Sequence, residues 1–288
     1  MGHEHILNSN PHLNKVKAYY LEAKSYRPEG ILGGWCHFGF TPDGYKGKYD
    51  LKTAQLNMQR LLGNTLNLPN GSKVLDAGCG YGPVARTLTT EFNLVVQGID
   101  LVGERLSKAR QLNKECGVGS IGLAEADYHR LPFPDNYFDG VYTMETLVHA
   151  YPLNLVLQEF RRVLKPEGKL VLFEYSIPNL NSLNPIVRNM ANRVIERTAM
   201  ASLHRFTHGA FPHLLEEAGF ENVRARDISK NVWQTWHFLW KEALKNTFNQ
   251  IRDGTFSLDK IQGSAMIYPA RSNLGYNVCE ASKPRCGN

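Results

Sequence analysis

Apolar residues along this chain follow two different spacings, and the change from one to the other divides it. Up to about residue 66 they recur at intervals of three and four: Val16, Tyr19 and Tyr20, then Leu51, Ala54, Met58, Leu61 and Leu62. That period predicts helices over 15–26 and 50–66. From Lys73 onward, short apolar runs alternate with helical stretches. Strands are predicted at Lys73–Asp76, Leu94–Asp100, Ile121–Glu125, Phe138–Met144 and Lys169–Tyr175, with helices at Val84–Thr90, Glu104–Cys116 and Leu155–Leu164. Such alternation implies right-handed βαβ crossovers and a parallel sheet covered on both faces.

After Tyr175 the order loosens. Helices are predicted over Asn184–His204, over His208–Ala218 with Gly219 as its stop, and over the aromatic stretch Asn231–Ile251. Val223–Ile228 reads as a sixth strand; Tyr276–Ser282 and Ala265–Ala270 compete for a seventh. The expected organisation is a helical N-terminal segment with a substrate lid over 1–70 and a ligand-binding core over 71–176. Residues 177–288 then complete the sheet, with inserted helices shaping a substrate pocket. The lid's centre is the Gly- and aromatic-rich loop Gly30–Tyr49.

Composition narrows this picture modestly. A 42% hydrophobic fraction over 288 residues suits a globular chain with a real core. No window approaches the run of about 20 apolar residues that spans a bilayer. The polar, His-rich Met1–Asn14 has no apolar leader-like stretch, so a cytoplasmic protein is expected, with peripheral membrane contact at most. The five cysteines are scattered without Cys-x-x-Cys or zinc-like spacing, so no metal site and free thiols are expected. A net charge of +6, spread without a basic stripe, argues against a nucleic-acid surface.

The strongest chemical signal is Val74-Leu75-Asp76-Ala77-Gly78-Cys79-Gly80-Tyr81-Gly82-Pro83. A strand runs into a Gly-rich turn, whose N–H groups can approach a ligand with a helix N-terminus behind them. Dinucleotide sites carry G-x-G-x-x-G, whereas here Gly78, Gly80 and Gly82 alternate, and the negative Asp76 would repel a pyrophosphate. An ammonium suits the site better. Asp100, followed by Leu101, closes the second strand and can accept from a ribose diol. Asp127 after the third strand can accept from an adenine amine, with Tyr128 as a stacking face. Three acids at three successive strand ends converge on the sheet's carboxyl edge, where such folds bind ligands.

These residues, with Gly98-Ile99-Asp100 and Leu131-Pro132-Phe133, resemble class I S-adenosylmethionine-dependent methyltransferases. Arg162–Leu170 is similar to that family's turn before strand five. The resemblance implies an α/β Rossmann-like fold with a seven-stranded, mostly parallel sheet. It also implies S-adenosyl-L-methionine as cofactor, contacted by Asp76, Gly78, Cys79, Gly80, Asp100, Leu101, Asp127 and Tyr128. Glu145-Thr146-Leu147-Val148-His149-Ala150-Tyr151-Pro152 looks like the Glu-Ala-Thr-Cys-His-Ala-Pro segment of sterol C-24 methyltransferases. Trp35-Cys36-His37-Phe38 sits where those enzymes carry Trp-Gly-Gln-Ser-Phe-His-Phe. Leu147-Val148 replaces Thr-Cys, one residue is inserted before Pro152, and the N-terminal loop is shorter. The implied acceptor is therefore a small lipophilic isoprenoid, sterol-like or prenyl, with the sterol itself left open.

Methylating an alkene carbon creates a carbocation, which needs negative density and then a base. Glu145 is the expected cation stabiliser and base, or else a structural contact. His149, four residues on, would share its face on a helix and act as base or relay, or else pack in the core. Tyr19, Tyr20, Trp35, His37 and Phe38 are expected to face substrate from the lid. Trp233 and Trp236 would do so from the late helix, where plain core packing competes. Mg²⁺ would be needed only for a diphosphate acceptor. O- or N-methylation of a small natural product and non-catalytic cofactor binding are the competing readings.

Overall fold

A computed structural model describes residues 11–22, 30–253 and 271–285. Helix α1 spans Pro11–Glu22 and α2 spans Leu51–Leu66. The Asp50 carboxylate caps α2 by accepting from the Thr53 N–H at 2.8 Å, and Asn67 ends it in a left-handed conformation (φ 42°). The alternating core follows: β1 (Lys73–Ala77), α3 (Pro83–Phe92), β2 (Val95–Asp100), α4 (Gly103–Glu115), β3 (Gly122–Glu125), β4 (Phe138–Met144), α5 (Leu153–Val163) and β5 (Leu164–Ser176). After it come α6 (Pro185–Arg197), α7 (Phe211–Glu217), β6 (Glu221–Asp227), α8 (Ser229–Arg252) and β7 (Gly275–Ser282).

The seven strands form one sheet in the order β3-β2-β1-β4-β5-β7-β6. Neighbours from β3 through β5 pair in parallel, and β7 inserts antiparallel between β5 and β6. This is the Rossmann-like, mostly parallel architecture that the sequence implies. The order reverses at β1, so the crevice beside its carboxyl end is where a ligand fits such a sheet. Each face has its own core. Leu75, Val141, Val156, Phe160, Phe211 and Leu215 fill one side, against α5 and α7. Met58, Leu62, Val84, Leu88, Val232 and Trp236 fill the other, against α2, α3 and α8.

Differences from the expected elements have local causes. The helix expected over Asn184–His204 stops at Arg197, because Ala199 turns left-handed (φ 54°) before a short turn at Leu203–Arg205. The helix expected from His208 starts at Phe211, with Pro212 in its first turn. The seventh strand lies at Gly275–Ser282, while Ala265–Ala270 falls outside the described residues, as do positions 23–26 of the first expected helix. No helix among the described residues is long and apolar enough to cross a membrane.

The Gly-rich loop after α1 is wedged between α2 and α8. The Phe40 N–H donates to Ala54 O and the Thr41 N–H to Asn231 O, each at 2.8 Å. The Gln55 amide donates to both Trp35 O and His37 O. At Gly39 the loop approaches so closely that a Cβ would lie 2.5 Å from the Ala54 Cβ and 2.8 Å from its carbonyl carbon. Gly39→Ala should therefore lower unfolding stability by about 1–3 kcal/mol. Gly119→Ala, where nothing lies within 4 Å, should stay within about 0.5 kcal/mol in the same urea titration.

Candidate active site

The cavity lies at the carboxyl ends of β1, β2 and β4, under α1 and the Gly-rich loop. Its floor is the turn after β1. Gly78, Gly80 and Gly82 all take positive φ (96°, 54° and 73°). A Cβ on Gly78 would sit 2.6 Å from the Thr146 side chain, so the first glycine is needed for room as well as rotation. The N–H groups of Gly78 and Cys79 both donate to Ile99 O. Asp100 shapes the turn from β2, one oxygen accepting from the Gly80 N–H at 2.8 Å and the other from the Val102 N–H at 2.9 Å. Asp76 is different. Its Oδ2 is buried without a hydrogen bond, and burial pushes the carboxyl up to about 7, opposed by the Tyr142 hydroxyl and reinforced by Asp100.

Glu145 follows β4 directly and forms the wall opposite. It holds a left-handed backbone (φ 59°), unusual for a residue with a Cβ, while its N–H still donates to Phe173 O of β5. Three donors converge on its carboxylate. The Phe38 N–H (2.7 Å) and the Tyr276 hydroxyl (2.8 Å) donate to Oε1, and the Tyr175 hydroxyl donates to Oε2. Phe38, Tyr175, Tyr276 and Trp236 pack edge-on or tilted around this group, with ring centroids 5.6–6.1 Å apart. Burial raises the Glu145 carboxyl to about 7 despite the three donors.

His149 does not share a helix face with Glu145 as expected. The left-handed turn at Glu145 leads into a single 3-10 turn, Leu147–His149, which carries the imidazole toward α1. There its Nδ1 meets Ala199 O at 3.0 Å and its Nε2 meets the Tyr20 hydroxyl at 2.8 Å. A carbonyl only accepts, so Nδ1 carries the proton and Nε2 accepts from Tyr20. His37 is bound in the same way: Nδ1 donates to Phe38 O and Nε2 accepts from the Gln59 amide. Burial lowers both imidazoles to about 4.

The other expected residues divide. Cys79, Leu101, Tyr128 and His37 line the cavity with Asp76, Gly78, Gly80 and Asp100. Asp127 does not; one of its oxygens holds both the N–H and Nδ1 of His129, leaving the neighbouring Ala126 and Tyr128 as cavity wall. Tyr19 lies behind Tyr20, Trp35 packs beneath the Lys52 ammonium, and Trp236 is buried with Phe38 behind Glu145. Trp233 is 41% exposed on the outer side of α8, away from the cavity. Helical periodicity alone did not distinguish Trp233 from Trp236, three residues on. Residues that the sequence reading did not single out also converge here: Tyr175 and Tyr276 on Glu145, and Arg105 on the cavity wall. A tyrosine at a strand position reads as ordinary sheet packing until register brings Tyr175 opposite Tyr276.

Residues 75–172 match the methyltransferase domain family. A S-adenosyl-L-methionine-dependent Diels-Alderase, iccD of Talaromyces variabilis, is 33% identical over 75% of this chain and 76% of its own length. The chain belongs to the class I S-adenosylmethionine-dependent methyltransferases. Sterol 24-C-methyltransferase ERG6B of Gibberella zeae is 29% identical over 72% of this chain, which spans 54% of that enzyme. The structure of geranyl diphosphate C-methyltransferase from Streptomyces coelicolor A3(2) superposes with a TM-score of 0.70, covering 96% of this chain and 99% of that one at 13% identity.

This methyltransferase uses S-adenosylmethionine, and the cavity fits it on its own evidence. The orphaned Asp76 oxygen seeks a cationic donor, and the Gly78 cradle leaves no room for a side chain. The two neutral imidazoles yield a test. Each titrates near 6.5 in an unfolded chain but near 4 in the fold, so both erode stability as pH falls from 6.5 toward 4. Long-range ¹H–¹⁵N correlation spectra should show His149 as the Nδ1–H tautomer down to about pH 5. A titration above pH 6 would contradict the buried geometry.

Proposed function

We propose that this methyltransferase methylates a carbon atom of a lipophilic isoprenoid acceptor, sterol-like or prenyl, through a carbocation. One observation carries the reading: the buried Glu145 carboxylate on the cavity wall, backed by Phe38, Tyr175, Tyr276 and Trp236. An oxygen or nitrogen acceptor needs only a base. A buried carboxylate on the cavity wall, held in place from behind by aromatic side chains, supplies the fixed negative charge a carbocation needs. The sterol methyltransferase relative and the geranyl diphosphate methyltransferase fold neighbour support the same acceptor class.

The cofactor supplies a methyl group already activated as a sulfonium. Asp76 Oδ2 would take its ammonium, Asp100 would face its ribose, and Ala126 with Tyr128 would wall its adenine. Glu145 then opposes the positive charge left on the acceptor. Its Oε2, with one donor against two on Oε1, receives the departing proton, and a carboxyl near 7 is matched to that task. His149, neutral and already bonded through both nitrogens, positions Tyr20 and α1 over the cavity. Exposed Ile186, Val187 and Met190 on α6 support peripheral contact with a lipid surface that carries the acceptor.

Methyl label should pass from S-adenosylmethionine to an isoprenoid carbon in a panel of sterols, prenyl alcohols, prenyl diphosphates, phenols and amines. Glu145→Gln should cut kcat about 10²–10³-fold while cofactor Kd changes less than about threefold. Label entering only phenols or amines sinks the reading. Conversion of a polyene without label would instead favour a cyclase like the Talaromyces relative.

Asp76 gives a separate pH signature. Ionising it to meet the ammonium releases a proton below about pH 7, so cofactor affinity should rise up to about tenfold per pH unit toward 7. It should level off before the cofactor's own amine titrates near 8. Calorimetry across pH 5.5–8 checks this, and Asp76→Asn should bind more weakly, with a flat profile.

A further inference from the structure

Among the described α-helices, α6 alone buries no side chain, yet it is far from polar. The Asn184 side chain caps it by accepting from the Ile186 N–H at 2.8 Å, and Pro185 opens its first turn. Ile186, Met190 and Val194 recur at intervals of four, with Val187 beside them, so the four side chains form one stripe. That stripe points outward, at 38–70% exposure, while the half-buried Ile195 packs inward against the core of α5 and α7. Arg193 and Arg197, three residues after Met190 and Val194, lie exposed along the edge of the stripe. The helix carries three arginines and one acid, and that acid, Glu196, meets Lys15 of α1 at 3.7 Å. An apolar stripe edged by arginines is the pattern of a helix that lies in the headgroup layer of a membrane.

The place of α6 in the fold gives that pattern a use. Just past its C-terminus the chain is bonded to the turn that carries His149. There His149 Nδ1 donates to Ala199 O at 3.0 Å, the Ser202 N–H donates to Val148 O at 2.9 Å, and the Ser202 hydroxyl donates to Ala150 O. His149 Nε2 in turn accepts from Tyr20 of α1. α6 and the α1 cover of the cavity are therefore fastened to one short turn. We propose that α6 docks on an anionic lipid surface, with Arg193 and Arg197 at the headgroups, and so seats the α1 cover beside the bilayer. This occupant rests on the lipophilic acceptor proposed above, which partitions into bilayers; the arginines make the surface an anionic one. A second copy of this chain fits less well. Pairing two such helices would bring their arginines together, and four aliphatic side chains fall short of the roughly 1,200–2,000 Å² that a stable dimer buries.

The test is co-sedimentation of the full chain, without cofactor or acceptor, with vesicles of phosphatidylcholine alone or with about 30% phosphatidylserine. Wild type should bind the anionic vesicles at least about tenfold more tightly. Arg193→Gln combined with Arg197→Gln should remove most of that gain, at about fivefold per charge. Ile186→Gln combined with Met190→Gln should weaken binding to both kinds of vesicle by about tenfold or more. Both pairs replace exposed side chains, so thermal unfolding should stay as in wild type. The same exchanges on α8, Phe248→Gln combined with Lys241→Gln, should leave binding within about threefold. Equal losses from the α6 and α8 variants would overturn docking through α6 and show only the adhesion of a basic chain. Equal binding of wild type to the two kinds of vesicle would overturn it too. A dimer in light scattering that the Ile186→Gln, Met190→Gln pair dissolves would make a second copy the occupant. No methyl transfer is read, so absent vesicle binding sinks the docking without touching the methylation reading, and a phenol or amine acceptor does the reverse.

Discussion

The carboxylate of Glu145 is the point through which the separate parts of this molecule meet. Its donors come from the Gly-rich loop (Phe38), from β5 (Tyr175) and from the antiparallel β7 (Tyr276). Without that group, the Phe38 N–H and the buried Tyr276 hydroxyl would face apolar rings, each at a cost of about 1–3 kcal/mol. Glu145 reaches all three only because the chain turns left-handed as it leaves β4, a conformation that costs a Cβ-bearing residue about 1–3 kcal/mol. The loop, the last strand and the cavity wall are thus set by one residue. In the proposed reaction, substrate chemistry and the covering of the site share the same bonds.

Electrostatics around the cavity follow a consistent logic. Acids sit at the ends of β1, β2 and β4, where the sheet's topology reverses, and burial pushes two of them to about 7. Burial biases such groups toward the neutral form, and a cation beside them favours ionisation. Histidines take the opposite course, since burial keeps His37 and His149 neutral over the physiological range. Glu174, wholly buried on β5, is driven well above the usual carboxyl range and serves by accepting from the Leu147 N–H. Its bond fixes the turn that follows Glu145. Arg105 supplies the compensating positive charge.

Much of this was legible in the chain before folding was considered. The alternating strands and helices from Lys73 to Tyr175 appear in the expected order, although β5 begins at Leu164 rather than Lys169, and the glycine turn after β1 takes the positive φ values that only glycines supply cheaply. The acids at strand ends were visible because their function depends on local position. What stayed hidden depends on register and on contacts between distant segments. Tyr175 meets Tyr276 across 101 positions, and Phe38 meets Glu145 across 107. His149 departs from the helical spacing that would set it beside Glu145 because the backbone makes a left-handed turn there. Trp233 and Trp236 look alike in a pattern of aromatics, yet one faces solvent and the other fills the core.

In the proposed reaction the Glu145 wall of the cavity faces a cation on a lipophilic acceptor. This is tested most directly by binding two isosteric ligands to the S-adenosylhomocysteine complex. One is a prenyl-like tertiary amine, protonated at neutral pH; the other is the neutral hydrocarbon of the same shape. The amine should bind at least about tenfold more tightly, and Glu145→Gln should abolish the difference. Equal affinity of the two ligands for the wild-type complex would contradict it.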